Sequence, residues 1–285
     1  MSLNSILRAP QGGWLTPAQT EKGIYRSRIS YTVWISMTAE FLRMEKINKW
    51  FGAQHALRDV DFEADQGQVV GLFGGNGAGK STLIKIVSGF HKPDSGDMYI
   101  QGKKVSFSSP RDAREYGIET VYQELAVIKD RNIPQNIFLG REPERRLFHF
   151  VRLVDENVMR STSENVIAKL GLNVPLMQEA QYCSGGERQG VAIARCLNFG
   201  ASLVILDEPF SALGFEGRRI VTDFVKRMKE RNIGCIAITH DIHHLYDIID
   251  RIVIFSLGKK IVDTDRNSIS MDECNEAMLS ASYQA

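Results

Sequence analysis

The chain has 285 residues, of which 43% are hydrophobic and 24% are charged. This is ordinary globular composition, and it suffices for one large domain with an insertion or for two small domains. Lysine and arginine number 35 against 34 aspartates and glutamates, so the charge balance argues against a nucleic-acid or anionic-membrane partner.

The cysteines and the apolar runs bear on where the protein works. The four cysteines, Cys183, Cys196, Cys235 and Cys274, form no CxxC pair, which is typical of reduced thiols in a cytosolic protein. The longest apolar runs are far shorter than the roughly 18 residues that a membrane-spanning helix needs. We therefore predict that the chain itself does not cross a bilayer.

Residues 1–36 form an atypical N-terminal extension. Basic residues precede a short apolar run in "SRISYTVWISM", but no small-residue cleavage site follows, which argues against a secretory signal. The extension is either a disordered tail or the product of a start codon assigned too early. We favour the second interpretation, because the folded pattern first emerges at Met37, in "MTAEFLRMEKINKWFG".

From Phe41 onward, strand-like and helix-like segments alternate, which predicts an α/β domain with a mostly parallel sheet. A helix is predicted over residues 80–90, where apolar residues recur at helical spacing. Short apolar runs predict core strands at residues 68–73, 118–123, 202–209, 234–240 and 251–258.

A helical insertion is predicted within this core, because strand signals vanish between Gln123 and Cys196. Residues 155–172 have helical periodicity, and Gly171 is the expected end of that helix. The predicted domain over residues 37–285 thus has a core at about 37–122 and 197–285, with a helical subdomain at about 123–196.

The stretch "GGNGAGKST" fits the pattern G-x-x-x-x-G-K-[ST] between a predicted strand and a predicted helix. In such a loop the backbone N–H groups and the helix N-terminus bind phosphate. Lys80 can reach the β- and γ-phosphates, and the Ser81 hydroxyl can ligate Mg²⁺. The alternative is a chance glycine turn. The predicted nucleotide-binding residues here are Gly74, Gly75, Asn76, Gly77, Ala78, Gly79, Lys80, Ser81 and Thr82.

Two adjacent acids follow the apolar run at residues 203–206. Asp207 is expected at the carboxyl end of a buried strand, where ligands bind in open α/β sheets, and is suited to hold Mg²⁺. Glu208 is suited to act as general base toward the water that attacks the γ-phosphate. Solvated turn residues are the alternative.

A second glycine turn, "CSGGERQGVAIARC" at residues 183–196, also leads into a predicted helix. It has no strand before it and no lysine, but its Ser hydroxyl and glycine amides make it a second anion site. The alternative is an N-capped helix, with Ser184 and Glu187 as a capping box. The two interpretations are compatible, because capping leaves other amides free.

The order of these motifs resembles that of ABC-type ATPases, from about Phe41 to near Val262. The P-loop is followed by "VYQE" at 121–124, the SGG turn, "VILDEPFSALG" and "ITHD" at 238–241. The resemblance implies a P-loop NTPase core, an N-terminal antiparallel β portion and an inserted helical subdomain. It also implies head-to-tail pairing, in which each SGG turn faces the partner's P-loop. The signature residues that would contact the partner's ATP are Ser184, Gly185, Gly186 and Glu187.

Three further residues match family positions. The resemblance assigns Gln123 to Mg²⁺ and the attacking water, and His240 to the γ-phosphate and the orientation of the catalytic Glu208. It assigns Phe51 to stacking on adenine. Without the resemblance, His240 would more often be structural, and Trp50 and Phe51 would be packing residues of an edge strand.

Four positions depart from the common family pattern. Cys183 replaces a leucine, Glu187 a glutamine, Gly190 an arginine and Gly214 an aspartate that contacts the other subunit. The two glycines resemble a subgroup of sugar-importer ATPases, notably single-domain ones similar to fructose and ribose importers. "VYQELAV" and "NIFLGRE" (136–142) support the same subgroup. The catalytic residues of the family are all present, as Lys80, Asp207, Glu208 and His240. We therefore expect the site to hydrolyse ATP.

The resemblance implies the ATP-hydrolysing subunit of a membrane importer for a monosaccharide or related polyol, with ATP and Mg²⁺ as cofactors. It would lie peripherally on the cytoplasmic face of the inner membrane, dimerise with itself or a similar chain, and bind a permease through the groove between core and insertion. An extracytoplasmic solute-binding protein would deliver the substrate. The alternatives are a soluble ABC ATPase acting on ribosomes or DNA, and a regulatory module that holds ATP without hydrolysing it.

Overall fold

The computed structural model describes residues 40–147, 151–211 and 213–282. The N-terminal extension over residues 1–36 and the favoured start at Met37 lie outside the described residues. From Glu40 the chain enters regular structure at once, as a long strand.

The first sheet is antiparallel and has the strand order β2-β1-β4-β5. On β2 the alternation of side chains is plain, since Val60, Phe62 and Ala64 are buried while Asp61 and Glu63 face solvent. Such alternation is expected when one face of a sheet is packed against the core and the other faces solvent. The strands are β1 (Glu40–Phe51), β2 (Gln54–Asp65), β4 (Ser95–Ile100) and β5 (Lys103–Val105).

The second sheet has six strands in the order β12-β11-β3-β10-β9-β6. All neighbouring pairs are parallel except β11 with β12, so the predicted mostly parallel sheet is confirmed. Its strands are β3 (Val69–Gly74), β6 (Ile118–Val121), β9 (Leu203–Asp207), β10 (Gly234–Ile238), β11 (Arg251–Ser256) and β12 (Lys259–Asp265). Each of the five predicted core strands corresponds to one of them.

Both faces of the six-stranded sheet are covered, which explains why its strands are almost uninterrupted Val, Ile and Leu. Alternate residues of one strand contribute to different cores. Leu72 on β3 packs toward the antiparallel sheet, together with Phe62 and Ile84. Phe73, the next residue, packs on the opposite face with Val191 and Phe224.

Seven helices surround the sheets in the described part of the chain. They are α1 (Lys80–Val87), α2 (Pro110–Glu115), α3 (Ile133–Ile137), α4 (Glu156–Leu170), α5 (Gly185–Asn198), α6 (Phe215–Glu230) and α7 (Met271–Ser282). The helix predicted over residues 155–172 is confirmed as α4, which Asp155 caps and Gly171 ends in the left-handed conformation. None of the described helices combines the length and the apolarity that a membrane span requires.

The expectation that strands are absent between Gln123 and Cys196 is wrong. A hairpin of β7 (Glu144–Leu147) and β8 (Val151–Val154) lies in this segment. Its strands are only four residues long, and β8 is exposed along its whole length. The apolar–polar alternation of Val151, Arg152 and Leu153 covers only three residues, which is too short to predict a strand.

The four cysteines are buried and make no disulfide. Burial raises the pKa of Cys196 and of Cys235 to about 12 in each case. A thiol with so high a pKa remains protonated at neutral pH and is a poor nucleophile. These two side chains therefore act as small core residues.

Candidate functional site

The phosphate-type loop connects β3 to α1, as the sequence predicts. Gly74 ends the strand at φ 144°, and a Cβ added there would lie 2.3 Å from the backbone oxygen of Phe255. Only glycine fits this close approach. The chain then turns through residues 75–79 and enters α1 at Lys80, and the loop and the helix start line one cleft. The unpaired N–H groups of a helix start favour a bound anion.

Lys80 is held inside this loop. It is 8% exposed, and its Nζ donates hydrogen bonds to the backbone oxygens of Gly74 at 2.7 Å and Gly75 at 2.9 Å. Burial lowers the pKa of Lys80, while the charges of Glu208 and Asp207 oppose that shift. The ammonium group is therefore fixed against the backbone at the start of the loop.

Strand register brings the other predicted residues to the same edge of the sheet. Asp207 on β9 pairs with Ile238 on β10, and Leu206 pairs with Val121 on β6. Gln123 follows β6 by two residues, and His240 follows β10 by two residues. Because the strands are parallel, their carboxyl ends lie side by side.

Asp207 and Glu208 occupy different environments although they are adjacent. Burial raises the pKa of Asp207, the charge of Glu208 raises it further, and the lysine charges of Lys80 and Lys85 oppose the rise. Glu208 has φ 48°, a left-handed conformation that costs a non-glycine residue about 1–3 kcal/mol. Such strain is common at functional sites.

Two neighbouring residues hold the Glu208 carboxylate. His240 Nδ1 lies 2.9 Å from Oε1, and the Thr239 hydroxyl donates to Oε2 at 3.1 Å. The predicted pairing of His240 with Glu208 is therefore present in the structure. Sequence reasoning missed Thr239, although a hydroxyl residue between a buried strand and His240 was a visible signal.

The cleft at this sheet edge has a volume of about 370 Å³. The P-loop residues 76–82 line it together with Phe51, Gln123, Asp207 and Glu208. It thus unites ammonium, hydroxyl, amide and carboxylate groups around a loop of N–H donors. This set can bind a polyphosphate and, through the oxygens of Ser81, Gln123 and Asp207, a hard divalent cation.

Trp50 and Phe51, the two aromatic residues at the end of β1, have different surroundings. Trp50 stacks on His55 with ring centroids 4.0 Å apart, so it packs within the antiparallel sheet. Phe51 is 44% exposed and lines the cleft, with its ring edge-to-face on His91 at 5.3 Å. Phe51 is therefore the ring placed to stack on a flat base.

The second glycine turn begins α5. Ser184 is the N-cap: its Oγ accepts from Glu187 N at 3.2 Å, and Glu187 Oε2 accepts from Ser184 N at 2.7 Å. The predicted capping box is confirmed. Ser184 is exposed, and residues 184–187 are not among those that line the P-loop cleft. One chain does not bring its own two glycine turns together at this cleft.

Close packing explains one of the departures from the family pattern. A Cβ added at Gly190 would lie 2.8 Å from the Phe224 ring and 2.9 Å from Leu172, so an arginine could not replace this glycine without repacking α5 against α6. Gly214 differs, because an added Cβ there meets nothing within 4 Å. Nothing in the structure requires glycine at position 214.

Glycines also set the contact between the starts of α5 and α6. A Cβ added at Gly186 would lie 2.5 Å from Gly217 Cα. At Gly185, the nearest atom to an added Cβ is the Leu213 side chain at 3.0 Å. The SGG turn therefore packs directly on residues 213–217, with backbone against backbone at Gly186.

Comparison with known proteins agrees with this geometry. The family model for the ABC transporter matches residues 57–211. The chain is 41% identical over 243 residues to the xylose/arabinose import ATP-binding protein XylG of Sulfolobus acidocaldarius, which covers 85% of this chain and 95% of XylG. It is 36% identical to the fructose import ATP-binding protein FrcA of Rhizobium meliloti, covering 82% and 91%. Among solved structures, it resembles MJ1267, an ATP-binding cassette of an ABC transporter, with a TM-score of 0.75 at 25% identity, covering 85% and 98%.

Proposed function

Because the chain belongs to the ABC transporter family of ATP-binding proteins, we propose that its ATP hydrolysis drives import of a monosaccharide or related polyol through a separate permease. This membership in the family confirms the resemblance that the motif order indicated. It also confirms that the protein is an ATPase. The sugar proposal rests on one observation. The chain is similar, over nearly its relatives' whole length, to proteins named for xylose/arabinose and fructose import.

In this proposal ATP lies in the cleft between Phe51 and the P-loop. Phe51 stacks on adenine, residues 74–82 surround the phosphates, and the Lys80 ammonium contacts the β- and γ-phosphates. A bound Mg²⁺ would neutralise phosphate charge as a Lewis acid. The oxygens of Ser81, Gln123 and Asp207 are the hard donors that Mg²⁺ prefers, and all three residues line this cleft.

Glu208 takes the role of general base. Its carboxylate accepts a proton from the water that attacks the γ-phosphate, while Gln123 orients that water. His240 holds Glu208 through Nδ1, and its imidazole is 69% exposed, so the ring is free to contact the γ-phosphate as well.

The SGG turn completes the site in a second copy of the chain. Ser184 and the amides at the start of α5 form an anion site that is separate from the P-loop cleft of the same chain. Head-to-tail pairing of two copies, or of this chain with a similar one, would place this turn over the partner's γ-phosphate. ATP then joins the two subunits, and hydrolysis releases them.

Ser184→Arg tests this pairing. We expect the variant monomer to bind ATP with unchanged affinity but to fail to dimerise, because the larger side chain fills the space of the partner's γ-phosphate. Light scattering with ATP and EDTA, in a hydrolysis-blocked background, measures the dimer. Ser161→Arg, at an exposed serine on α4, is the matched control and should dimerise normally. ATP-driven dimers of Ser184→Arg would assign the turn another role.

The permease would bind where the core meets the insertion, which we place at about residues 123–196 between core segments 37–122 and 197–285. A cleft of about 190 Å³ lies there. Across it, Arg141 pairs with Glu119 at 2.6 Å, and Arg195 donates to the backbone oxygens of Asn136 and Ala126. The chain would thus sit peripherally on the cytoplasmic face of the membrane, and a solute-binding protein outside would deliver substrate.

Uptake by intact cells tests the substrate class. Deleting the gene should reduce uptake of at least one labelled sugar among xylose, arabinose, fructose and ribose to background, because no hydrolysis would then drive the permease. A plasmid-borne copy should restore it, and uptake of a labelled amino acid serves as the control. If uptake of all four sugars is unaffected, the sugar-import proposal is wrong.

A further inference from the structure

We propose that Thr239 is a positioning residue for ATP hydrolysis, which fixes the orientation of the Glu208 carboxylate. This inference rests on the proposed role of Glu208 as general base. The Thr239 side chain is not among those that line the cleft. It would nevertheless affect the hydrolysis step, through Glu208.

The hydrogen bonds of Thr239 have a definite direction. Its hydroxyl oxygen accepts a hydrogen bond from the backbone N–H of Asp241 at 3.1 Å, and the hydroxyl donates to Glu208 Oε2 at 3.1 Å. A hydroxyl has a single proton to donate. Because the Asp241 N–H can only donate, that proton is committed to the carboxylate.

The surroundings of Thr239 make it a rigid anchor. The residue is 3% exposed, and its backbone N–H donates to Leu72 O on β3 at 3.3 Å. It follows β10 directly, in the middle of the six-stranded sheet. A β-branched side chain at such a site has little rotamer freedom.

His240, the other partner of Glu208, lies in a very different setting. Its side chain is 69% exposed, against 18% for that of Glu208. When His240 turns toward a γ-phosphate, Thr239 is the partner that keeps the carboxylate in place. Glu208 needs such support, because its φ of 48° leaves its backbone in a strained conformation.

Thr239→Val removes the hydroxyl and keeps the branched shape. We expect kcat to fall by about ten- to a hundredfold, the range expected for losing one hydrogen bond to a charged group. The affinity for ATP and KM should remain at wild-type values, because Thr239 does not touch the nucleotide site. Thr239→Ser, which keeps the hydroxyl, should restore most of the turnover.

Two further variants separate this effect from a structural one. Thr264→Val, on edge strand β12, is the matched control and should hydrolyse ATP at the wild-type rate. In a Glu208→Gln background, adding Thr239→Val should cause no further loss of turnover, because the carboxylate it positions is absent. Thr239→Ala gives the same comparison if the valine variant does not fold.

The outcomes distinguish this inference from the proposed function. Wild-type kcat in Thr239→Val, equal losses in the serine and valine variants, or a raised KM at unchanged kcat would each overturn the positioning role. If Glu208→Gln itself hydrolyses ATP at the normal rate, the proposed base is wrong. A dead Glu208→Gln with a fully active Thr239→Val contradicts the Thr239 inference alone.

Discussion

Glu208→Gln should lower ATP turnover by about two to four orders of magnitude, the usual contribution of a general base. Glutamine has the shape of glutamate but no carboxylate to accept the proton of the attacking water. ATP binding should be unaffected, because Lys80 and the loop amides remain. With ATP bound and not hydrolysed, the dimer should persist. Phosphate-release assays should therefore show the loss of turnover, calorimetry an unchanged affinity for ATP, and light scattering a long-lived dimer.

Glu230→Gln provides the matched control for this variant. Glu230 ends α6 and is exposed, so the same loss of charge there should leave turnover, affinity and dimer lifetime unchanged. Normal hydrolysis by Glu208→Gln would remove Glu208 from the mechanism. Turnover that falls together with ATP affinity would instead show that Glu208 contributes to binding.

Lys80→Ala should weaken ATP binding by about two to three orders of magnitude, or abolish it. Removing one partner of a buried charge contact has effects of this size. Two consequences follow from the geometry. The backbone oxygens of Gly74 and Gly75 lose their shared donor, and the pKa of Asp207 should rise further, because the Lys80 charge opposes its increase. Isothermal calorimetry measures the affinity directly.

Lys85→Ala is the control for the loss of a positive charge on the same helix. Lys85 lies on the same helix as Lys80 but is exposed, and it makes no contact with the loop oxygens that Lys80 binds. We expect its affinity for ATP to stay near that of the wild type. An unaltered affinity in Lys80→Ala would contradict the assignment of the P-loop.

Local motifs were enough to predict the strand ends of the core. Asp207 directly follows a short apolar run, Lys80 follows the glycine loop after another, and parallel strands bring the ends of such runs together. The contact between Glu208 and His240 was expected only from the family resemblance, because it depends on the register between β9 and β10. That register is set by tertiary packing, which a single sequence does not show.

The features that escaped sequence analysis depend on contacts between distant residues or on very short segments. The hydroxyl of Thr239 beside His240 was visible in the sequence, but its role was not, because its partner Glu208 lies 31 residues away. The β7–β8 hairpin has strands of only four residues, too short for their alternation to predict them. The tight space beside Gly190 arises from Phe224 and Leu172, which the chain brings together only after folding.

The packing of Gly186 on Gly217 has a consequence for movement of the SGG turn. Since no methyl group fits at this contact, the SGG turn cannot shift toward residues 213–217 without displacing them, and these residues follow Glu208 by only a few positions. A displacement of the SGG turn would therefore also move a segment that closely follows Glu208 in the chain. The backbone contact at Gly186 thus connects the two segments directly, even though Gly214 provides no side chain to do so.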